Sequence, residues 1–181
     1  MNAKESMKNE VFALESREVN EGKKVAFIAG GINRDISKAN LNGKVKSIGE
    51  HTHYIPLVVV DGEDVIKAGL SLKDPISGLP IDSSKAKDYL VIIEGQHRYM
   101  AIMELREKDA KAKKNYETAM KKWQKDGSKS EDKPEEYTPK APTLIKAIYP
   151  LVEDEDIRIM ISVMNLSLIH ISEPTRLALI S

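Results

Sequence analysis

The 181-residue chain contains no cysteine. That excludes disulfides, Cys-ligated zinc or iron–sulfur centres and thiol nucleophiles, and it makes a reducing cytoplasm the expected location. Aromatic residues are scarce at 5%, and neither charge is in excess, 28 Lys plus Arg balancing 28 Asp plus Glu. A generally basic coat for nucleic acid is thereby excluded, although charge can still segregate locally. No hydrophobic run approaches the roughly 20 residues that span a bilayer. The polar opening MNAKESMKNEVFALESREVNEGKK also lacks the apolar stretch of a signal peptide. What is present is 41% hydrophobic residues. A chain of this length can bury roughly 70% of its unfolded surface, so one domain with a core of its own is expected.

Hydropathy periodicity divides the chain into strands and helices. Val25 to Ile28 is a short apolar run ended by Gly30-Gly31, with Asn33-Arg34-Asp35 in the turn that follows. Lys38 to Glu50 places Leu41, Val45 and Ile48 at helical spacing behind Ser37 as cap. Ile55 to Val60 and Tyr89 to Ile93 are continuous runs rich in β-branched residues and predict strands buried on two faces. The Gly- and Pro-containing stretch between them, with KDPISGLPIDSS, predicts a loop or small hairpin. After Glu94-Gly95 the period becomes helical for more than 25 residues. A net acidic loop, Asp126 to Glu136, precedes a strand over Thr143 to Tyr149 and a last helix from Asp154 onward. Alternating strands and helices predict an α+β (α/β-like) domain with a small mixed sheet and packed helices.

The segment Ile92-Ile93-Glu94-Gly95-Gln96-His97-Arg98-Tyr99 lies where a buried strand becomes a helix. The first N–H groups of a helix lack intrahelical partners and carry the positive end of its dipole. Gly95 allows close approach to the backbone, Arg98 can fork onto phosphate oxygens, and His97 supplies a donor or a proton-transfer group. An anion site and a plain turn with a surface His-Arg pair are both compatible with these residues.

The wider pattern, YLVIIEGQHRYMAIMEL preceded by NRDIS, a helix and IPLVVV, resembles the N-terminal domain of the ParB/sulfiredoxin superfamily, with EGQHR in place of its DGQHR-type motif. The resemblance covers roughly Val25 to Asn165. It implies a small α/β fold that binds the phosphates of a nucleotide at Gly95, Gln96, His97 and Arg98, with Arg34 as a second clamp. A nucleoside triphosphate, CTP or ATP, with Mg2+, is the ligand implied, and a DNA-associated or partition-like accessory protein is the role. Homodimerisation or a partner protein is compatible with that role.

Departures from the family narrow what carries over. Gln96 stands where sulfiredoxins need Cys, so the chain is not a sulfiredoxin and cannot repair sulfinic acids by thiol chemistry. Ile55 precedes Pro56 where CTP-switching partition proteins place Gln, and Met164 stands where they carry the Glu of a magnesium-holding Glu-Asn pair. The metal ligands are therefore unassigned. An enzyme of the same superfamily, a phosphoryl transferase or nuclease with Glu94 or His97 moving the proton, is the alternative. A third reading is an interaction domain without ligand. His51-Thr52-His53 and Glu153 to Asp156 have metal-ligand composition, but their spacing fits a solvated loop and a helix start as well.

Lys108 to Lys125 carries seven Lys against Asp109 and Glu117, with Tyr116, Met120 and Trp123 as an apolar stripe. Lys113, Lys114, Lys121 and Lys122 are the candidate nucleic-acid contacts of this helix. The change from basic helix to acidic loop marks residues at about 108–140 as an insertion in a domain spanning 25–165, behind a polar segment 1–24. Leu166 to Arg176, LSLIHISEPTR, resembles translated sequencing-adaptor sequence, so 166–181 is expected to be non-native and to have no consistent packing position.

Overall fold

The computed structural model describes residues 10–30, 36–51, 55–125, 133–150 and 157–169, with side chains to 163. Its seven strands are β1 (Phe12–Ala13), β2 (Lys24–Ile28), β3 (Leu57–Asp61), β4 (Leu72–Lys73), β5 (Pro80–Ile81), β6 (Tyr89–Glu94) and β7 (Lys146–Ile148). The helices are α1 (Leu14–Asn20), α2 (Lys38–His51), α3 (Gly62–Lys67), α4 (Gln96–Lys125) and α5 (Ile157–Ile169), with a 3-10 helix over Ser83–Asp88. The strands form one mixed sheet in the order β1-β7-β3-β6-β2-β4-β5. The α+β class with a small mixed sheet and packed helices is the observed fold. The chain divides into two compact units, residues 1–36, 55–96 and 144–181 in one and 37–54 with 97–143 in the other.

The first unit holds the whole sheet. Its central strands are those whose sequences carry no polar alternation: Leu57, Val59, Leu90, Val91 and Ile92 are each fully buried. Parallel pairing of β6 with β2 and antiparallel pairing with β3 put β6 in the middle, where both faces exclude water. On one face Ala26, Ile28, Val60, Val91 and Ile93 pack with Val65 of α3 and Ile157, Met160 and Ile161 of α5. The Asp61-Gly62 pair, which reads as a turn, instead opens α3. A Cβ at Gly62 would overlap the Ala86 carbonyl oxygen, so only glycine lets α3 and the 3-10 helix come so close.

Segment 1–24, polar in sequence, contributes β1 and α1. Phe12 and Ala13 pair antiparallel with Ala147 and Lys146 of β7, and Leu14 is buried. Lys23 Nζ lies 2.8 Å from Asp61 Oδ1, and the Tyr149 hydroxyl donates to the same oxygen at 3.4 Å. Tyr149 stacks on Phe12, which Arg17 covers from 5.3 Å. A charged and aromatic chain thus ties the N-terminal segment to the ends of β3 and β7.

The second unit contains α2, α4 after its first residue, and the extended segment 133–143. Ile48, Tyr99, Ala101, Ile102 and Leu105 are its buried residues. The two helices approach closely at Gly49, where a Cβ would stand 3.3 Å from Leu105 Cδ2. Asp109 accepts from the backbone N–H groups of Lys140 and Ala141, and Arg106 donates to the Thr143 carbonyl at 3.0 Å. Residues 140–143 are therefore fastened to α4 at Arg106 and Asp109.

Candidate functional site

Strand β6 ends at Glu94, and α4 starts at Gln96, so Gly95 alone turns the chain. Its φ is 95°, a left-handed conformation that a side chain resists. Just before it, Val58 of β3 pairs with Glu94 while Val59 pairs with Ile92, leaving Ile93 as an extra residue on β6. A bulge of this kind ends ladder pairing and re-aims the next side chain. A strand end, a bulge and a positive-φ glycine thus deliver the chain into the first turn of a 30-residue helix.

The four residues of the motif have different local fates. Gln96 is 8% exposed and its Nε2 donates to the Ile92 carbonyl at 3.1 Å, so its side chain secures the turn and its backbone N–H is what the helix start offers. His97, half-buried, accepts at Nε2 from the Ser37 N–H at 3.3 Å. That acceptor role assigns the proton to Nδ1 in the neutral ring. Arg98 and Glu94 are half-buried and engage neighbours. Arg34, the expected second clamp, lies outside the described residues.

The Ser37 contact adds a second helix start. Ser37 precedes α2, its carbonyl accepts from Leu41 N–H at 3.0 Å and its hydroxyl from Asn40 N–H at 3.3 Å, which makes it the cap expected from sequence. The imidazole of His97 therefore joins the positive ends of α2 and α4 through one hydrogen bond. Two helix N-termini linked in this way favour a negatively charged group more than one does. No local pattern signals that His97 and Ser37, 60 positions apart, meet.

Other candidates are placed separately. His51 ends α2 with Nε2 4.0 Å from Glu50, whereas His53 and residues 153–156 lie outside the described residues. Among the described residues no group of three His, Asp or Glu is gathered for a metal ion, and no helix is long and apolar enough to cross a membrane. Lys113, Lys114, Lys121 and Lys122 are all exposed on α4, while Tyr116, Met120 and Trp123 are half-buried. No family model, curated protein or solved structure matches the chain.

Proposed function

We propose that this chain is a ParB-like nucleotide-binding domain serving as a DNA-associated or partition-like accessory protein in the cytoplasm. The phosphates of a triphosphate such as CTP or ATP lie against the backbone of Gly95 and Gln96. Arg98 supplies the charged fork, the Nδ1–H of His97 a further donor, and Arg34 a second cation. Glu94 stands beside the phosphates, where it orients Arg98 or a bound Mg2+. The observation that carries the reading is the positive-φ Gly95 between buried β6 and α4, with His97 joining that helix start to the Ser37 cap of α2. The same elements make a phosphate cradle elsewhere, because unpaired N–H groups and helix dipoles act together on an anion.

A thermal-shift panel of ATP, CTP, GTP and pyrophosphate, each with and without Mg2+, tests it. A ligand present at 100 times its dissociation constant stabilises by about 2.7 kcal/mol. For a chain of this size that raises Tm by roughly 5 to 10 °C. Product analysis on each stabilising nucleotide separates a binding module from an enzyme.

A further inference from the structure

The lysines of α4 are sorted by face. At 3.6 residues per turn, Lys121, Lys114, Lys125, Lys111 and Lys122 fall within about 100° of arc, with Thr118 among them. All six are exposed. Thr118 turns its hydroxyl back to the Lys114 carbonyl at 2.8 Å and adds no charge to the face. Tyr116, Met120 and Trp123, the half-buried residues, lie about 180° away. Lys113 stands off this arc beside Glu117.

One lysine of the arc, Lys111, has a carboxylate partner in Glu107. Glu104 pairs with Lys108 at 2.7 Å and Glu107 with Lys111 at 2.6 Å, both in the first half, and Asp109 is engaged by Lys140 and Ala141. Lys114, Lys121, Lys122 and Lys125 have no ion-pair partner among the described residues. Glu117 stands four residues before Lys121, but Lys121 and Lys125 also stand at i and i+4, where like charges repel. Compensation of the helix dipole explains cations in the last turn only, and Lys114 is more than two turns from the end.

We infer that this face of α4 is a docking surface for the phosphate backbone of duplex nucleic acid, read without regard to sequence. The inference deepens the DNA-associated part of the proposed function and rests on it. Charge complementarity selects a polyanion. Base stacking needs aromatic side chains, and the lysine arc has none, which disfavours single strands. A membrane-surface helix needs its apolar side free to enter lipid, whereas that side here is half-buried in protein. The face runs about 21 Å from Lys111 to Lys125, along which duplex DNA presents a charge every ~1.7 Å.

The test is fluorescence anisotropy of the full chain with a duplex of arbitrary sequence, without nucleotide or Mg2+, between 50 and 200 mM salt. Four phosphate-bound lysines give a log–log slope near −3.6, or about a 150-fold loss of affinity across that range. In Lys114→Gln/Lys121→Gln/Lys125→Gln the slope should fall to about −1. Lys85→Gln/Lys87→Gln should keep the full slope. Circular dichroism establishes that the triple variant retains its helix. No duplex binding at 50 mM salt, or an unchanged slope in the triple variant, overturns the inference. So does tighter binding to a single strand of equal length, or stronger lysine-dependent binding to phosphatidylserine vesicles. A failed nucleotide panel with salt-steep duplex binding intact would remove only the phosphate-site reading, and the converse result would remove only this one.

Discussion

The carboxylate of Asp109 accepts from the backbone N–H of Ala141 at 2.7 Å, across 32 residues of chain. It also accepts from Lys140 N–H at 2.9 Å and from the Tyr137 hydroxyl. Three donors on one half-buried carboxylate make a clasp between α4 and the extended segment that carries Tyr137, Lys140 and Ala141. Asp109→Ala should destabilise the second unit by about 1 to 3 kcal/mol, because two backbone donors lose their partner. Denaturant melts and proteolysis within 133–143 would detect this, and wild-type behaviour in both would show that the clasp carries no energy.

Excision inside the clasp is the complementary case. Replacing 112–136 by a short Gly-Ser linker keeps Asp109, Tyr137, Lys140 and Ala141, so the remaining chain should still melt cooperatively. Aggregation or a broad transition would place Tyr116, Met120 and Trp123 in a core rather than on an accessory.

Gly62 gives the sharpest steric expectation. Gly62→Ala places a methyl group on the Ala86 carbonyl, and rigid backbone cannot yield as a flexible side chain does. A loss of about 1 to 3 kcal/mol is expected from overpacking, read as a lower urea midpoint at unchanged m-value. An unaltered midpoint would mean that α3 and the 3-10 helix slide apart freely.

Asp74 supplies a pH dependence. The Ser77 backbone N–H holds its carboxyl below the ordinary value against the opposing effect of desolvation, helped by the Ile76 N–H and the Ser77 hydroxyl. A depressed folded pKa stabilises the fold above the unfolded carboxylate value and is lost as pH falls through the folded one. The β4–β5 hairpin should therefore loosen in acid. Asp74→Asn should weaken this acid dependence, and the effect should be small because the half-buried carboxyl lies at the surface, where solvent screens it. An NMR titration of Ile76 and Ser77 amides checks it, and amide shifts that ignore pH below 4.5 would contradict it.

How much could be read from the sequence follows from length and burial. Strands β3 and β6 were legible because both faces are buried, and α4 because its period persists for eight turns. The short β1, β4 and β5 have two residues each, too few to show a period, and α3 hides behind an Asp-Gly pair that ordinarily signals a turn. Leu14 is the only buried side chain of α1, so hydropathy there reads as polar. Within the candidate site the strand-to-helix change and Gly95 were legible. The bulge at Ile93, the inward amide of Gln96 and the meeting of His97 with Ser37 were not, since each depends on pairing between distant residues. The helical backbone of α5 continues to Ile169, four residues into the stretch that resembles adaptor sequence.

Ligand stabilisation in Arg98→Ala is the most direct test of the nucleotide site, with circular dichroism and the unliganded Tm as folding controls. Gly95→Val is a poorer probe, because a branched side chain at φ 95° strains the turn whether or not anything binds there. Losing a charged hydrogen-bonding partner costs roughly 2 to 3 kcal/mol, or about 30- to 150-fold in affinity. The wild-type chain should be stabilised by at least one of ATP, CTP, GTP or pyrophosphate, and folded Arg98→Ala should lose most of that shift at the same concentration. No shift with any of the four at millimolar concentration, or an equal shift in the variant, would contradict a phosphate site at Gly95 to Arg98.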